Sequence, residues 1–419
     1  MLADLLYAIW PYQIFKSLLF RSGMSFLTTY FLIVLLMHPL IRWFRAAGVV
    51  SDFGTQENQP KRPYAGPKPI MGGGLLILGI LVSMVLWVEL NQFAVALMVI
   101  MVAFAAIGAI DDLQKVRHRR HVEGGTAEKK EYTDKADGIS GTTRLSLEFL
   151  LATAVVIGLY WYVTIDGHLV IPFIPLKWWY PYLPRHLFIP LMVVIIVAGA
   201  NAVNLTDGMD SLATVPIITC TAFVAAVAYV GSEPEWVLRL KLPVLPVEIR
   251  EVVVVAAAVI SAGIAFLRYN APPAMITMGD MGALAMGSVM STMFILAKVE
   301  LFLPLAGGVF VLTTLSTIIQ RLFFKLMVNV KGREFAKQVR FFYRAPYHHH
   351  LQALWTYGEE VKKVRSIWVE IQRRLGVRLP GPEDQLTRAA DVDSRVVWRL
   401  HMVSLWLLVV SLLVYFKVR

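Results

Sequence analysis

Ten stretches of mostly apolar residues recur along the chain, separated by shorter polar segments. Each approaches the roughly 20 residues that an α-helix needs to cross the hydrocarbon core of a bilayer. The pattern predicts an all-α, polytopic membrane protein with about ten transmembrane helices, built as a single domain over residues 1–419. The predicted spans are Met24–Phe44, Ile70–Val88, Phe93–Ile110, Leu145–Thr164, Leu187–Val203, Leu212–Val230, Val252–Leu267, Met281–Ala297, Leu301–Phe324 and Val397–Phe416.

The composition supports this prediction. Of the 419 residues, 57% are hydrophobic and only 16% are charged, whereas about a quarter of a soluble globular chain is charged. The mean hydropathy is +0.61. These values exclude a disordered chain, a coiled coil and an ordinary cytosolic enzyme. The one cysteine, Cys220, excludes a disulfide framework and a cysteine-built metal site.

The distribution of Lys and Arg sets the predicted orientation. Ten spans place both termini on the same side of the membrane, and cytoplasmic loops carry the excess of basic residues. With both termini outside, the inner segments hold 29 Lys and Arg and the outer ones hold 10. We therefore expect an N-out, C-out topology. The net charge of +11 reflects this sidedness, and we expect no nucleic-acid partner.

Two adjacent carboxylates, Asp111 and Asp112, follow the third predicted span directly. Charged groups near hydrocarbon are costly and are functional candidates by default. At a helix end, both acids could reach a water-filled cleft, where they suit a divalent cation or one base beside one ligand. A solvated helix terminus explains the pair equally well.

Three further polar segments fall at the inner ends of predicted spans. The first is Asn201–Asp210, in which Asn204 lies one turn after Asn201 and Asp210 follows Asp207 at the same spacing. The second begins at Asn270 and ends with Asp280 at a helix start, where the helix dipole favours an anion, although simple capping also fits.

The third segment is Ala345–His350, with three consecutive histidines. Consecutive histidines point in different directions and are weak evidence for zinc, but imidazoles can contact phosphates or move protons. Together the four groups suit magnesium-assisted phosphoryl transfer at the cytoplasmic face of the membrane.

These segments resemble the motifs of the phospho-N-acetylmuramoyl-pentapeptide-transferases, a branch of the polyprenyl-phosphate N-acetylhexosamine-1-phosphate transferases. The long Asn-to-Asp segment is the most specific of them, and the matches run in order along nearly the whole chain. The matching pieces are Pro69–Gly73, Ile110–Asp112, Asn201–Asp210, Met278–Gly282, Ala345–His350 and Lys417–Arg419.

The resemblance implies a multi-pass enzyme of peptidoglycan synthesis in the bacterial inner (plasma) membrane, usually a homodimer. It implies Mg²⁺-dependent transfer of phospho-MurNAc-pentapeptide from UDP-MurNAc-pentapeptide to undecaprenyl phosphate, a membrane lipid, to give lipid I and UMP. Its expected catalytic residues are Asp111, Asp112, Asp280 and His348, with Asp280 and Asp112 as the metal ligands. Its expected substrate-binding residues are Lys68, Lys115, Asn204, Asp207, Asp210, Asn270 and His349.

Several positions depart from the family pattern. Ala65 and Ile70 stand where the family commonly has Lys and Thr, and Thr277 replaces an aromatic residue that usually stacks on uracil. Ser211 replaces a usual Gly, and Arg144 replaces a usual Lys. Ala283 replaces a usual Ser. Lys68 could restore the charge absent at Ala65.

Two cytoplasmic inserts are expected at about residues 118–137 and 351–395. The second contains apolar residues at helical spacing between basic ones, which favours a helix packed on the protein over one lying on anionic lipid.

Two other functions remain open at this point. The substitutions at Ala65, Ile70 and Thr277 allow a related transferase that uses another UDP-N-acetylhexosamine, such as UDP-GlcNAc. A membrane transporter would also contain buried carboxylates and broken helices, but its charges are expected near the middle of the membrane and not at inner helix ends.

Overall fold

The computed structural model describes residues 2–51, 68–123, 140–163, 167–175, 178–356, 361, 363–379 and 389–417. Each of the ten predicted spans coincides with a helix, so the all-α, polytopic architecture is confirmed. Within the described residues, nine helices are long and apolar enough to cross a membrane, and the tenth, Gly73–Trp87, has 15 residues. The orientation of the termini stays a prediction.

The helices are numbered here in chain order. They are α1 (Leu2–Ile9), α2 (Leu18–Ala46), α3 (Gly73–Trp87), α4 (Gln92–Glu123), α5 (Gly141–Val163), α6 (Arg185–Thr206), α7 (Thr214–Gly231), α8 (Pro234–Leu240), α9 (Arg250–Asn270), α10 (Gly279–Leu296), α11 (Leu303–Ala306), α12 (Gly308–Lys331), α13 (Arg333–Gln338), α14 (Tyr347–Thr356), α15 (Ile367–Arg374) and α16 (Ala389–Lys417). Short 3₁₀ turns cover Gln13–Lys16, Val247–Ile249 and Glu300–Phe302.

Two pairs of two-residue strands complete the described elements. Strand β1 (Val50–Ser51) pairs antiparallel with β2 (Lys68–Pro69). Strand β3 (Val339–Arg340) pairs in parallel with β4 (Arg365–Ser366).

Helix α10 lies at the centre of the bundle and packs chiefly against α4 and α6, with further contacts to α3 and α7. All of its residues from Gly282 to Leu296 are buried. Small residues allow this close approach: a Cβ on Gly287 would lie 2.7 Å from the Cα of Ala200 on α6. The helix that begins next to Asp280 is therefore held by neighbours on several sides.

Several helix boundaries differ from the sequence prediction, including the following three. Helix α4 continues to Glu123, well past Ile110. The ninth span begins at Gly308 instead of Leu301, because a 3₁₀ turn and the four-residue α11, with a proline in its first turn, precede it. Helix α16 begins at Ala389, eight residues before the predicted span.

The inserts are only partly described. Residues 124–139, which contain most of the first insert, lie outside the described residues. In the second, Val361 and Val364 pack against a small core formed by Tyr343, Leu354 and other residues. The expected single helix is interrupted, however, because β4 (Arg365–Ser366) pairs with β3 before α15 begins. Farther along the same segment, the side chain of Leu375 is 75% exposed to solvent.

Candidate active site

Lys115 joins two of the predicted acids. Its Nζ lies 2.8 Å from Oδ2 of Asp111, one turn earlier on α4, and 2.9 Å from Oδ2 of Asp280 at the start of α10. The acidic pair was expected at a helix end, and this expectation was wrong, because α4 continues for eleven residues beyond Asp112. The continuous helix is what places Lys115 on the same face as Asp111.

Arg144 brings a second cation from α5 to the same carboxylates. Its Nη1 lies 3.1 Å from Oδ2 of Asp280 and 3.6 Å from Oδ2 of Asp111. On its other side, the Arg144 Nε lies 3.5 Å from Glu148, which is fully buried and also accepts a hydrogen bond from Asn201. Sequence reasoning missed Glu148, although a charge inside a predicted span was the signal that would have found it.

Asp112 and Asp207 both bind the first turn of α10. Asp112 accepts hydrogen bonds from the backbone N–H groups of Asp280 and Met281, at 3.2 and 3.0 Å. The backbone N–H of Gly279 also lies beside the Asp207 carboxylate. The N-cap residue, Met278, contributes no side-chain cap. Two other elements therefore supply the acceptors that a helix N-terminus needs, and Asp280 does not cap its own helix.

The environment of Asp207 is strongly acidic. Burial, followed by the nearby charges of Asp280, Asp112 and Asp210, raises the pKa of the Asp207 carboxyl well above its usual range. Any ligand that brings positive charge between these groups relieves this repulsion. The arrangement thus favours a cation on the acidic side of the site.

The backbones of residues 69–73 and 277–278 hydrogen-bond to each other next to the start of α10. Thr277 donates its N–H to the carbonyl of Pro69 at 3.0 Å, and Gly72 returns a bond to the carbonyl of Thr277 at 3.0 Å. A Cβ on Gly73 would lie 2.2 Å from the Cα of Gly282. The glycines of the two motifs are therefore needed for direct backbone contact.

Lys68 and Asp210 form a separate ion pair beside this crossing. The Lys68 Nζ lies 3.0 and 2.7 Å from the two carboxylate oxygens of Asp210. Asp210 also accepts the backbone N–H of Ala274 at 2.9 Å. Their side chains are 16% and 14% exposed. Lys68 was expected to supply the charge of the Lys that the family commonly has at the position of Ala65. Ala65 itself lies outside the described residues.

Asn270 holds the turn that carries Asp207 and Asp210. Its Oδ1 accepts the N–H of Ser211 at 2.8 Å, and its Nδ2 donates to the carbonyl of Ile276 at 3.0 Å. The side chain is buried. Through these contacts Asn270 stabilises the turn. Its predicted contact with substrate stays a prediction. Ser211 has a φ of +62°, which explains why glycine suits this position.

The histidines contact the same turn from α14. A Cβ on Gly208 would lie 2.8 Å from Nε2 of His348 and 3.6 Å from Nε2 of His349. His348 is 1% exposed, and within the described chain neither ring nitrogen has a hydrogen-bond partner. Burial, and then the neighbouring His349, lowers the pKa of His348 well below its usual range, so the ring is neutral at pH 7.

His350, the third histidine, faces away from this turn. Its Nδ1 accepts the backbone N–H of Tyr343 at 3.2 Å, and its ring stacks on the Tyr343 ring. Burial lowers the pKa of His350 from 6.5 to about 4. It belongs to the local core of the second insert, whereas His348 and His349 border the site.

A cavity of about 220 Å³ adjoins Arg144 between α5, α6 and α12. Two guanidinium groups and two amides line it, from Arg144, Arg321, Asn201 and Asn204, together with threonine hydroxyls of α12. The Asn204 Nδ2 and the Thr314 Oγ1 are buried without hydrogen-bond partners in the described part of the chain. Such a lining suits an anion with several oxygen atoms.

The predicted residues fall into three adjoining groups. Asp111, Asp112, Lys115, Asp207 and Asp280 meet at the start of α10. Lys68, Asp210 and Asn270 meet behind the same turn, and His348 and His349 lie against Gly208 within it, while Asn204 faces the cavity. No cluster of three or more His, Cys, Asp or Glu suited to a metal occurs among the described residues. The chemical role of each residue stays a prediction.

The chain is similar to known proteins over most of its length. Residues 93–298 match the family model for glycosyl transferase family 4. A phospho-N-acetylmuramoyl-pentapeptide-transferase from Koribacter versatilis (strain Ellin345) is 32% identical over 390 residues, which cover 88% of this chain and 93% of the relative. Another protein of the same name, from Pelagibacter ubique (strain HTCC1062), is 34% identical over 354 residues, covering 81% and 87%.

Proposed function

Because the chain belongs to the phospho-N-acetylmuramoyl-pentapeptide-transferase family, we propose that it transfers phospho-MurNAc-pentapeptide from UDP-MurNAc-pentapeptide to undecaprenyl phosphate. The products are lipid I and UMP, and the reaction belongs to peptidoglycan synthesis. The observation that carries this proposal is the contact of Lys115 and Arg144 with both Asp111 and Asp280. Membership of the family makes the chain a transferase enzyme, which rules against the transporter alternative.

Magnesium fits the acidic group. The Oδ2 atoms of Asp111 and Asp280 lie 2.8 and 2.9 Å from the same Lys115 Nζ, so the two carboxylates are close neighbours that favour cations beside them. Mg²⁺ commonly takes one or two protein carboxylates and completes its shell with water and phosphate oxygens. Asp280 would hold it, with Asp111 as the neighbouring carboxylate, whereas both oxygens of Asp112, predicted as a ligand, accept backbone N–H groups in the first turn of α10. When bound, the metal would neutralise charge on the phosphates.

The cations of the site can bring the acceptor phosphate and the donor pyrophosphate, which are both anions, close together. Lys115 and Arg144 each contact the acids through one or two N–H groups, and the remaining donors of these side chains can bind phosphate oxygens. Their positive charge lowers the repulsion between the acceptor phosphate and the pyrophosphate of the donor. Asp111, 3% exposed, would accept the proton of the acceptor phosphate, whose oxygen then attacks the β-phosphorus as UMP leaves.

We place the phosphate of the lipid acceptor in the cavity beside Arg144. Its lining combines Arg144 and Arg321 with amides and hydroxyls that lack partners in the described chain. Helix α12 forms one wall and exposes a row of apolar side chains, including Leu315, Ile318 and Leu322. A polyprenyl chain lying on this face would present its phosphate to the cavity and to Asp111 beyond it.

The nucleotide and sugar would then bind near the turn of Asp207–Asp210 and the histidines. The setting we propose is the cytoplasmic face of the bacterial inner membrane, with both termini outside and a homodimer as the assembly. Thr277 offers a hydroxyl where the family pattern has an aromatic ring, and this hydroxyl donates to the carbonyl of Pro69 at 3.4 Å. We therefore expect uracil to be held without stacking at this position.

The test is a transfer assay with purified protein, Mg²⁺, undecaprenyl phosphate and UDP-MurNAc-pentapeptide. Stoichiometric release of UMP and formation of the lipid product are expected, and chelation of Mg²⁺ should stop both. Folded protein that forms neither product overturns the proposal. An equimolar mixture with UDP-GlcNAc addresses the alternative donor: preferential use of UDP-GlcNAc would replace the donor substrate while keeping the class of reaction.

A further inference from the structure

A chain of three side chains connects His349 to the last helix. The Gln352 Oε1 lies 3.1 Å from the Nδ1 of His349, one turn earlier on α14. The Nε2 of the same glutamine donates to Oδ1 of Asp393, in the second turn of α16, at 2.6 Å. Gln352 is 6% exposed, so these contacts are shielded from water. Neither Gln352 nor Asp393 belongs to a motif identified in the sequence.

The chemistry of these groups fixes the direction of each hydrogen bond. An ionised carboxylate only accepts, so the donor that faces Asp393 must be the NH₂ group of Gln352. The carbonyl of the amide then necessarily faces His349, and a carbonyl also only accepts. The Nδ1 of His349 must therefore be the donor. The assignment of the amide and of the ring follows from this network and needs no observed hydrogen.

We propose that Asp393 and Gln352 are positioning residues that hold a proton on Nδ1 of His349, so that the neutral form of the ring would present the lone pair of Nε2 to the bound substrate. The Nε2 borders Gly208, where a Cβ would lie 3.6 Å away. A neutral His349 would thus accept a hydrogen bond from an N–H or O–H group of the donor substrate. This assignment of a substrate group rests on the proposed transfer function, whereas the position of the proton does not.

Packing holds Asp393 in place for this task. Val392 and Val396, on either side of it along α16, are buried with Met209 and Leu212 of the turn that follows α6. Trp355 of α14 packs against the same cluster, and the guanidinium of Arg399 lies 4.5 Å from the centre of its ring. The same segment therefore fixes the carboxylate behind His349 and supports the turn in front of it.

A second contact from α16 supports this geometry. The Nε2 of His401 lies 3.1 Å from the carbonyl of Ser211, which ends the turn that begins at Asp207. The imidazole of His349 and the backbone it faces are thus positioned by one helix. A shift of α16 would therefore move both the His349 imidazole and the backbone of this turn. A residue that only packs α16 would not determine which ring nitrogen carries the proton.

The test is ¹⁵N NMR of the full chain, labelled in the histidine rings, in lipid nanodiscs. The His349 signals are assigned by their loss in His349→Gln. We expect a neutral ring with a protonated Nδ1 and a bare Nε2. In Asp393→Asn the new amide can donate or accept, so Gln352 is free to rotate and the Nε2–H tautomer should appear. Asp393→Glu keeps an acceptor-only group and should keep the Nδ1–H form.

Ser404→Ala is the matched control, because Ser404 is buried on the same helix and its Oγ donates to the carbonyl of Leu400, one turn earlier. It should leave the tautomer unchanged. We expect kcat/KM for the donor substrate to fall by about tenfold in Asp393→Asn, the lower end of what loss of a histidine-orienting partner costs. Asp393→Glu should recover most of this loss.

Two results would overturn the inference: an Nε2–H tautomer in the unmodified protein, or an Nδ1–H tautomer that persists in Asp393→Asn. Because the NMR measurement needs no substrate, it is independent of turnover. A fixed Nδ1 proton in a folded protein without transfer activity would refute the proposed function and leave the proton position standing.

Discussion

The side chain of Asp112 binds the backbone of Asp280 and not its carboxylate: Oδ1 of Asp112 accepts the Asp280 N–H at 3.2 Å. The other oxygen accepts the next N–H, from Met281, at 3.0 Å. The carboxylate of Asp280 is left to face Lys115 and Arg144. The two acids, which the sequence motifs group together as metal ligands, therefore have different structural settings.

This difference predicts different outcomes for two matched substitutions. Asp280→Asn removes the charge that Lys115 and Arg144 face, so transfer activity should nearly vanish while the melting temperature changes little. Asp112→Asn keeps one carbonyl acceptor but loses the other, which should cost about 1 kcal/mol of stability, as loss of a helix cap does. Its activity should fall less than that of Asp280→Asn.

The measurements are the initial rate of UMP release and the thermal unfolding midpoint in one detergent. The assignment of Asp112 to the helix terminus fails if Asp112→Asn has an unchanged midpoint and abolished activity, which is the pattern expected for a ligand of the metal or substrate.

Ser211 should be a site where glycine stabilises the protein. Its φ of +62° lies in the left-handed region, which costs a residue with a Cβ about 1 kcal/mol. Ser211→Gly removes that cost but gains freedom in the unfolded chain, so we expect a net stabilisation of about 0.5 kcal/mol. Ser211→Ala keeps the Cβ and serves as the control. Equal midpoints for the glycine and alanine variants would contradict this account.

The buried His350 predicts a pH dependence of stability. The unfolded chain binds a proton near the ordinary pKa of 6.5, whereas burial lowers the folded pKa to about 4. Between these values the unfolded state holds more protons, so stability falls as the pH decreases from 6.5 towards 4. The loss should reach at most about 3 kcal/mol below pH 4.

Hydrogen exchange at the Tyr343 amide, which donates to Nδ1 of His350, measures this effect locally. Protection should decrease across this pH range. His350→Gln keeps an acceptor without the titration and should make protection less dependent on pH. An equally steep dependence in that variant would assign the effect to another group.

The sequence predicted the fold well because bilayer crossing imposes a strong, local pattern. Each span needs a long apolar run, and each of the ten runs forms a helix. Boundaries were less predictable where helices continue into polar sequence, as α4 does beyond Asp112. There the apolar signal ends but the helix continues, and Lys115 contacts Asp111 one turn earlier and Asp280 on α10.

The sequence predicted which residues form the site but not how these residues contact one another. Charged residues at the ends of apolar runs stand out, and Asp111, Lys115 and Asp280 do meet. Glu148, Gln352 and Asp393 gave weaker signals, since their meaning depends on pairs between distant segments. The spacing of a motif carries no information about which backbone N–H a carboxylate will accept, and this is why Asp112 was expected to bind metal.

A close approach of α4 to α10 gives the last prediction. Gly108 lies one turn before Asp112, and a Cβ there would be 2.4 Å from the backbone oxygen of Asp280. Gly108→Ala must push the two helices apart, because backbone cannot move aside as a flexible side chain can. We expect a loss of about 1–3 kcal/mol in stability and a fall in activity of at least tenfold, since Lys115 moves away from Asp280.

Gly158→Ala is the matched control, because among the described residues no atom beyond the adjacent backbone of α5 lies within 4 Å of the Cβ it would add. It should be neutral or slightly stabilising, because alanine favours a helix over glycine. Unfolding midpoints and transfer rates of the two variants, measured side by side, separate close packing from the general effect of losing a glycine. If Gly108→Ala behaved like Gly158→Ala, the direct backbone contact between α4 and α10 could not be what positions Asp280 against Lys115.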